Sequence, residues 1–184
     1  MRRRYKITNV GFLGGTKKEI VEFILESNKD SGACIITSAG LRQCILAATM
    51  PRFKNVLDEF DIVTVQGLVA KSVPDGKYFG LEACSGWDIL EGVMSLTRGD
   101  TNAKHYFVGA EKGILQSLTD KYTKAGNSVL GYGVIDREQN SLSSVLARGD
   151  IKFMWLLGKS PWIENLCLNL RQHFPGIKVI AINS

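Results

Sequence analysis

Long hydrophobic runs are missing from this 184-residue chain. The longest, Phe153 to Leu157 and Val179 to Ile182, fall far short of a bilayer's thickness. The start, Met1-Arg2-Arg3-Arg4, lacks the apolar stretch of a signal peptide, so a cytoplasmic location is expected. Histidine is scarce, with two residues, and the four cysteines, at 34, 44, 84 and 167, form no Cys-x-x-Cys pair and have no histidine nearby. Those spacings exclude a zinc motif and a disulfide framework, leave reduced and mostly buried thiols as the expectation, and assign no metal ligands. No Pro/Gly/Ser-rich linker, repeat or low-complexity segment interrupts the chain. One domain is therefore expected over residues 1–184, with residues 1–5 as a basic N-terminal segment.

What is present is an ordinary globular composition, 45% hydrophobic and 22% charged, with a formal charge of +5. Part of that charge sits in Arg2, Arg3, Arg4 and Lys6, followed by Lys17 and Lys18. Such a cluster attracts anionic lipid, although a solvated terminus explains it more simply. Nucleic acid is not an expected partner, because interleaved aromatic and basic positions are lacking.

Short β-branched or aromatic runs recur at Ile7–Leu13, Ala33–Thr37, Phe60–Val65, His105–Val108, Ser128–Leu130, Ile151–Leu157 and Ile177–Ile182. Each gives way to a turn signal and then to helical spacing, the alternation of an α/β fold. Several runs are apolar throughout, as in parallel strands covered on both faces. The spacing Thr16…Glu19 predicts a capped helix carrying Ile20, Phe23 and Ile24, and Asp136…Gln139 repeats the arrangement before Leu142, Val145 and Leu146. Ser160-Pro161 predicts a helix start, with Trp162, Leu166 and Leu170 as its core stripe. The fold class that follows is a single Rossmann-like α/β domain, its mostly parallel sheet covered by helices on both faces.

Glycines and small polar residues gather where these strands end: Gly14-Gly15, Thr37 to Gly40, Gln66-Gly67, Gly109, Gly131-Tyr132-Gly133 and Gly158-Lys159-Ser160. In an open parallel sheet such turns share one edge, where backbone amides and helix N-termini hold phosphate. Two phosphate signatures fail on spacing. A P-loop ending at Gly158-Lys159-Ser160 would need glycine at Phe153, and a dinucleotide fingerprint beginning at Gly131 would need glycine at Asp136. The acids that could serve as general acid or base are Asp61, Asp75, Glu82, Asp88, Glu111, Asp136 and Glu164. Asp88 and Glu164 also suit first helical turns, His105 suits a hydrogen-bonded core position, and His173 suits the surface.

In order and spacing these segments resemble the WecG/TagA/CpsF family of bacterial glycosyltransferases, glycosyltransferase family 26. The resemblance runs from Val10-Gly11-Phe12-Leu13-Gly14 through Ile35-Ile36-Thr37, Asp61 to Gly67, Gly86-Trp87-Asp88-Ile89-Leu90 and Tyr106 to Ala110 with Gly113. It ends on Gly131-Tyr132 and Leu157-Gly158-Lys159-Ser160-Pro161 with Glu164. It implies metal-independent, inverting transfer of an N-acetylmannosamine-type or related sugar from a UDP-sugar to a lipid-linked saccharide, in cell-surface polysaccharide synthesis. The UDP-sugar would be a donor substrate, with no cofactor, and the enzyme would be peripheral at the inner face of the plasma membrane. Carried over by position, Gln66, Thr37 and Asp88 fall in the catalytic region. Gly67, Gly86, Gly109, Tyr132, Gly158, Ser160, Pro161 and Glu164 fall around the donor.

Where the family has an aspartate as the proposed base, this chain has Gln66. Ala39 and Ala83 replace a usual asparagine and arginine, Pro161-Trp162-Ile163-Glu164 replaces Pro-Lys-Gln-Glu, and the family's basic C-terminal appendage has no counterpart before Ser184. The alternative expectation is therefore a catalytically inactive relative that binds a nucleotide-sugar or a partner transferase. Candidate partners are an anionic membrane surface, such a transferase, or a second copy of the chain.

Overall fold

The computed structural model describes residues 4–7, 9–27, 32–71, 81–135 and 150–183. A hairpin of β1 (Arg4–Ile7) and β2 (Val10–Leu13) opens the fold, and α1 (Lys17–Glu26) follows. Then come β3 (Cys34–Ala39), α2 (Leu41–Thr49), α3 (Pro51–Asp58), β4 (Ile62–Val65) and the single turn α4 (Leu68–Lys71). The second half runs α5 (Gly86–Leu96), β5 (His105–Gly109), α6 (Lys112–Lys124), β6 (Val129–Val134), β7 (Phe153–Gly158), α7 (Trp162–Arg171) and β8 (Lys178–Asn183). Six strands form one parallel sheet in the order β4-β3-β8-β7-β5-β6. The fold is a Rossmann-like α/β domain.

Alternation along each strand sends side chains to two separate cores. On β7 and β8, Met154, Leu156, Val179 and Ala181 join α2, α3 and α7, while Phe153, Trp155, Ile180 and Ile182 join α1, α5 and α6. Both faces are thus covered, which is why these strands read as continuous apolar runs. The capping box at Thr16 and Glu19 forms as the spacing predicts, and Ile20 and Ile24 are buried beneath it.

Several expectations need correction. The run Ile7–Leu13 is not one strand, because Asn9 turns the chain with a φ of 66° in the left-handed region that asparagine tolerates. Strand β1 of that hairpin begins at Arg4 and includes Tyr5. Gly131-Tyr132-Gly133 is not a terminal loop but part of β6. Among the described residues this edge strand has one hydrogen-bonded neighbour, with a register shift opposite His105/Tyr106, a setting that tolerates Gly131 at a φ of 134°. The stripe of α7 is rotated: Ile163, Glu164, Cys167 and Leu170 are buried, whereas Trp162 and Leu166 are half-buried. The predicted helix after Asp136, together with Asp75, Asp136, Arg2 and Arg3, lies outside the described residues.

All four cysteines are buried thiols outside any disulfide. His105 is fully buried between β7 and α5, and its hydrogen bonds fix its tautomer. Trp155 Nε1–H donates to its Nδ1 at 3.2 Å, and its Nε2 lies 3.0 Å from Thr97 Oγ1, whose own hydrogen goes to the Val93 carbonyl. The ring is therefore neutral with hydrogen on Nε2. Burial pushes its pKa from 6.5 down to about 4. A base depressed in the folded state leaves stability intact above its unfolded pKa and removes it as pH falls toward the folded one. Chemical denaturation of the protein beside a His105→Gln variant should show an extra loss confined to pH 6.5 down to 4, about 3 kcal/mol at most. A pH-independent difference between the two would contradict this.

Candidate functional site

Strands β5 and β7 are hydrogen-bonded neighbours, yet the helices that follow them leave on opposite sides, α6 into one core and α7 into the other. At the carboxyl end of that pair the covering layers part, and a crevice opens where open α/β sheets bind their ligands. A cleft of about 230 Å³ occupies the place, lined by Trp87, Gly109, Glu111, Ile114, Gly158 and Trp162 among others. Lys159 completes its rim, and Leu157 and Ile182 form its floor.

Glycine at 109 and 158 is a steric requirement. A Cβ on Gly109 would lie 2.9 Å from the Leu157 carbonyl oxygen. One on Gly158 would lie 2.8 Å from Cζ3 of Trp162, so the bare backbone lets the indole settle over β7 and form a cleft wall. Gly86 is buried for another reason: a Cβ there would sit 3.1 Å from Ile182 Cα and 3.2 Å from the Ala181 carbonyl oxygen. Its role is to let the start of α5 approach β8, which brings the neighbouring Trp87 to the mouth. Gly67 has a φ of 55° with open space around it, a left-handed turn directly after Gln66.

Beside the cleft, across β7, β8 and β3, runs a polar array. Ser160 Oγ accepts from Gln43 Nε2 at 2.9 Å and stands 2.5 Å from Glu164 Oε1 and 3.1 Å from Asn183 Oδ1. Asn183 Nδ2 donates to the Ser38 carbonyl at 3.0 Å and reaches Thr37 Oγ1 at 3.5 Å, and Gln43 Oε1 accepts from Gly40 N at 3.0 Å. Ser38 Oγ in turn accepts from Gly86 N at 3.0 Å, tying the array to α5. The peptide bond between Ser160 and Pro161 is cis, and Pro161 rather than Ser160 occupies the N-cap position of α7, with no side-chain cap. Glu164 is fully buried. Among the described residues its Oε2 has no hydrogen-bond partner, and desolvation raises its pKa.

The structure thus brings Thr37, Ser160, Pro161 and Glu164 into one array, and Gly109 and Gly158 into the adjoining cleft. Gln66 lies beside them, its Oε1 3.5 Å from where a Gly40 Cβ would be. Tyr132 stands apart, packed half-buried against the core on the α6 side. Asp88 is committed elsewhere. Its Oδ2 accepts from Ser85 N and Oγ at 2.8 and 2.6 Å, closing a capping box, and its Oδ1 pairs with Lys17 Nζ at 2.7 Å. Despite partial desolvation, these partners hold its pKa below the ordinary carboxylate value. Among the other acids, Glu82 accepts from Lys17 N, and Asp61 bonds Ile35 N and Arg171 at the amino end of β4. Sequence reasoning missed Gln43 and Asn183, whose partners are 117 and 23 residues distant.

No protein-family model matches the chain, and no curated protein matches it. Among the described residues no group of three or more His, Cys, Asp or Glu side chains could hold a metal ion, and no helix is long and apolar enough to cross a membrane.

Glu164 supplies a test of the array. An acid whose pKa is raised by burial is fully compatible with folding below its unfolded value and costs stability as pH rises through the folded value. A Glu164→Gln variant is neutral at every pH. Its stability relative to the parent should climb as pH rises above the ordinary carboxylate value of 4.5 in parallel denaturation curves, while a flat difference would show that the carboxyl group carries no such penalty.

Proposed function

We propose that this chain is a diverged glycosyltransferase of the WecG/TagA/CpsF type. It takes a UDP-sugar, with an N-acetylmannosamine-type or related sugar, as donor and a lipid-linked saccharide as acceptor. The observation that supports this most is the cleft at the parting of α6 and α7, with tryptophans in its walls and a polar array alongside. At about 230 Å³ it is smaller than the roughly 300–1,000 Å³ of sites that swallow a whole drug-sized ligand. It therefore suits one flat part of a donor, the uridine, with diphosphate and sugar running out over the carboxyl edge. Apolar and aromatic walls favour a base, while Lys159 and the first-turn amides of α6 offer positive potential to the diphosphate.

Inverting transfer also needs an acceptor for the proton of the attacking hydroxyl. Gln66 occupies the position from which the resemblance would draw that base, and a neutral amide cannot take the proton. Asp88 is tied to Ser85 and Lys17, and Glu164 is sealed beneath Ser160. These three observations favour, as the second reading, a relative that binds a nucleotide-sugar without turning it over. In both, the edge binds the donor.

The test is a panel of UDP-sugars with lipid-linked acceptors, following binding by calorimetry and UDP release, for the parent and a Gln66→Asp variant. Donor binding by both proteins is expected, with release at least about a hundredfold faster in the variant, the scale on which a positioned general base acts. Binding with no release from either protein leaves the second reading standing. Failure of both proteins to bind any UDP-sugar would overturn both.

A further inference from the structure

Glu111 is the one carboxylate side chain lining the cleft among the described residues. It is solvent-exposed, and although it occupies the N-cap position of α6 its side chain caps nothing. No ion pair or hydrogen bond engages its carboxylate among the described residues, unlike Asp88 and Glu82 at the same edge. An uncommitted carboxylate beside tryptophan walls is a pure hydrogen-bond acceptor, placed where an apolar cleft can exclude water from its bonds. The group on a nucleotide that supplies two adjacent hydroxyl donors next to the base is the ribose 2′,3′-diol. In other open α/β sheets an acidic side chain at the carboxyl edge meets those hydroxyls while a helix N-terminus meets the diphosphate.

We infer that Glu111 is a specificity residue that accepts hydrogen bonds from the ribose diol and so selects ribonucleotides over deoxyribonucleotides. The inference rests on the proposal that the cleft holds a nucleoside. It adds the sugar class that the site demands and the residue that demands it. With a 2′-deoxy ligand the carboxylate loses a charge-assisted bond and must still give up part of its water, so affinity falls. Discrimination by a site built to bond a hydroxyl is characteristically strong, because the partner left behind is unpaired.

The experiment is calorimetric titration of the full chain with UDP and with 2′-deoxy-UDP, for the parent, Glu111→Gln and Glu111→Ala. Glu111 is exposed, so both variants should fold, as their circular dichroism would verify. The parent is expected to bind UDP at least about tenfold more tightly than 2′-deoxy-UDP. Glu111→Ala should bind both at the weaker level, and Glu111→Gln, which keeps one carbonyl acceptor, should retain part of the preference. Equal binding of the two nucleotides by the parent would overturn the inference and leave the nucleotide cleft intact. So would a preference that survives in Glu111→Ala, or tighter UDP binding by that variant, which would mean that the carboxylate faces the diphosphate. If the parent binds neither nucleotide, the cleft assignment and the inference fall together.

Discussion

The parallel pairing of β5 with β7 is the constraint on which the site depends. Crossovers between parallel strands are right-handed, so the direction in which the chain moves along the sheet decides which face its helix covers. From β5 the chain moves outward to β6 and lays α6 on one face, while from β7 it moves inward to β8 and lays α7 on the other. The two helices must separate at the carboxyl end, whatever side chains line the gap. The cleft therefore follows from topology, and local residues determine only what it can hold.

Three of those residues are glycines for reasons of contact. Gly109 and Gly158 lie where a methyl group would strike the Leu157 carbonyl or the Trp162 indole, and Gly86 lies against the backbone of β8. Their absent side chains set the positions of both tryptophans: Trp162 rests over Gly158, and Trp87 rides on the helix that Gly86 allows to approach. The polar array then locks the same edge from the other side. Ser160, Asn183, Gln43 and Ser38 join the segment leading into α7 to β8, α2 and β3 through buried and part-buried hydrogen bonds. Such a connected network is costly to disturb and holds the surrounding backbone in one arrangement.

Much of this was legible in the sequence. Parallel strands covered on both faces announce themselves as apolar runs, and the glycine turns marked the edge at which the cleft opens. The capping box at Thr16 is local and obeys its spacing. What failed to show were features set by tertiary neighbours. Trp162, Leu166 and Leu170 make a plausible helical stripe, but the true phase of α7 is fixed by burial of Ile163 and Cys167, and it carries Glu164 inward. Gly131 to Gly133 read as a loop because nothing in the sequence tells that β6 is an edge strand. Gln43 and Asn183 lack any motif, since each finds Ser160 only through the sheet order. Glu111 stood among the candidate acids, and only the geometry separates it from Asp88, whose partners Ser85 and Lys17 have already claimed it.

The central claim is that the cleft between α6 and α7 is the ligand site. The chain has three tryptophans, two in the cleft wall and Trp155 fully buried in the core, which makes it its own control. The most direct measurement is the heteronuclear NMR spectrum of the indole N–H groups, with nitrogen-15 in tryptophan, during titration with UDP. The account predicts that the Trp87 and Trp162 signals move in a saturable manner with one common affinity while the Trp155 signal stays in place. Saturable binding that leaves Trp87 and Trp162 unmoved would put the ligand elsewhere and contradict the account.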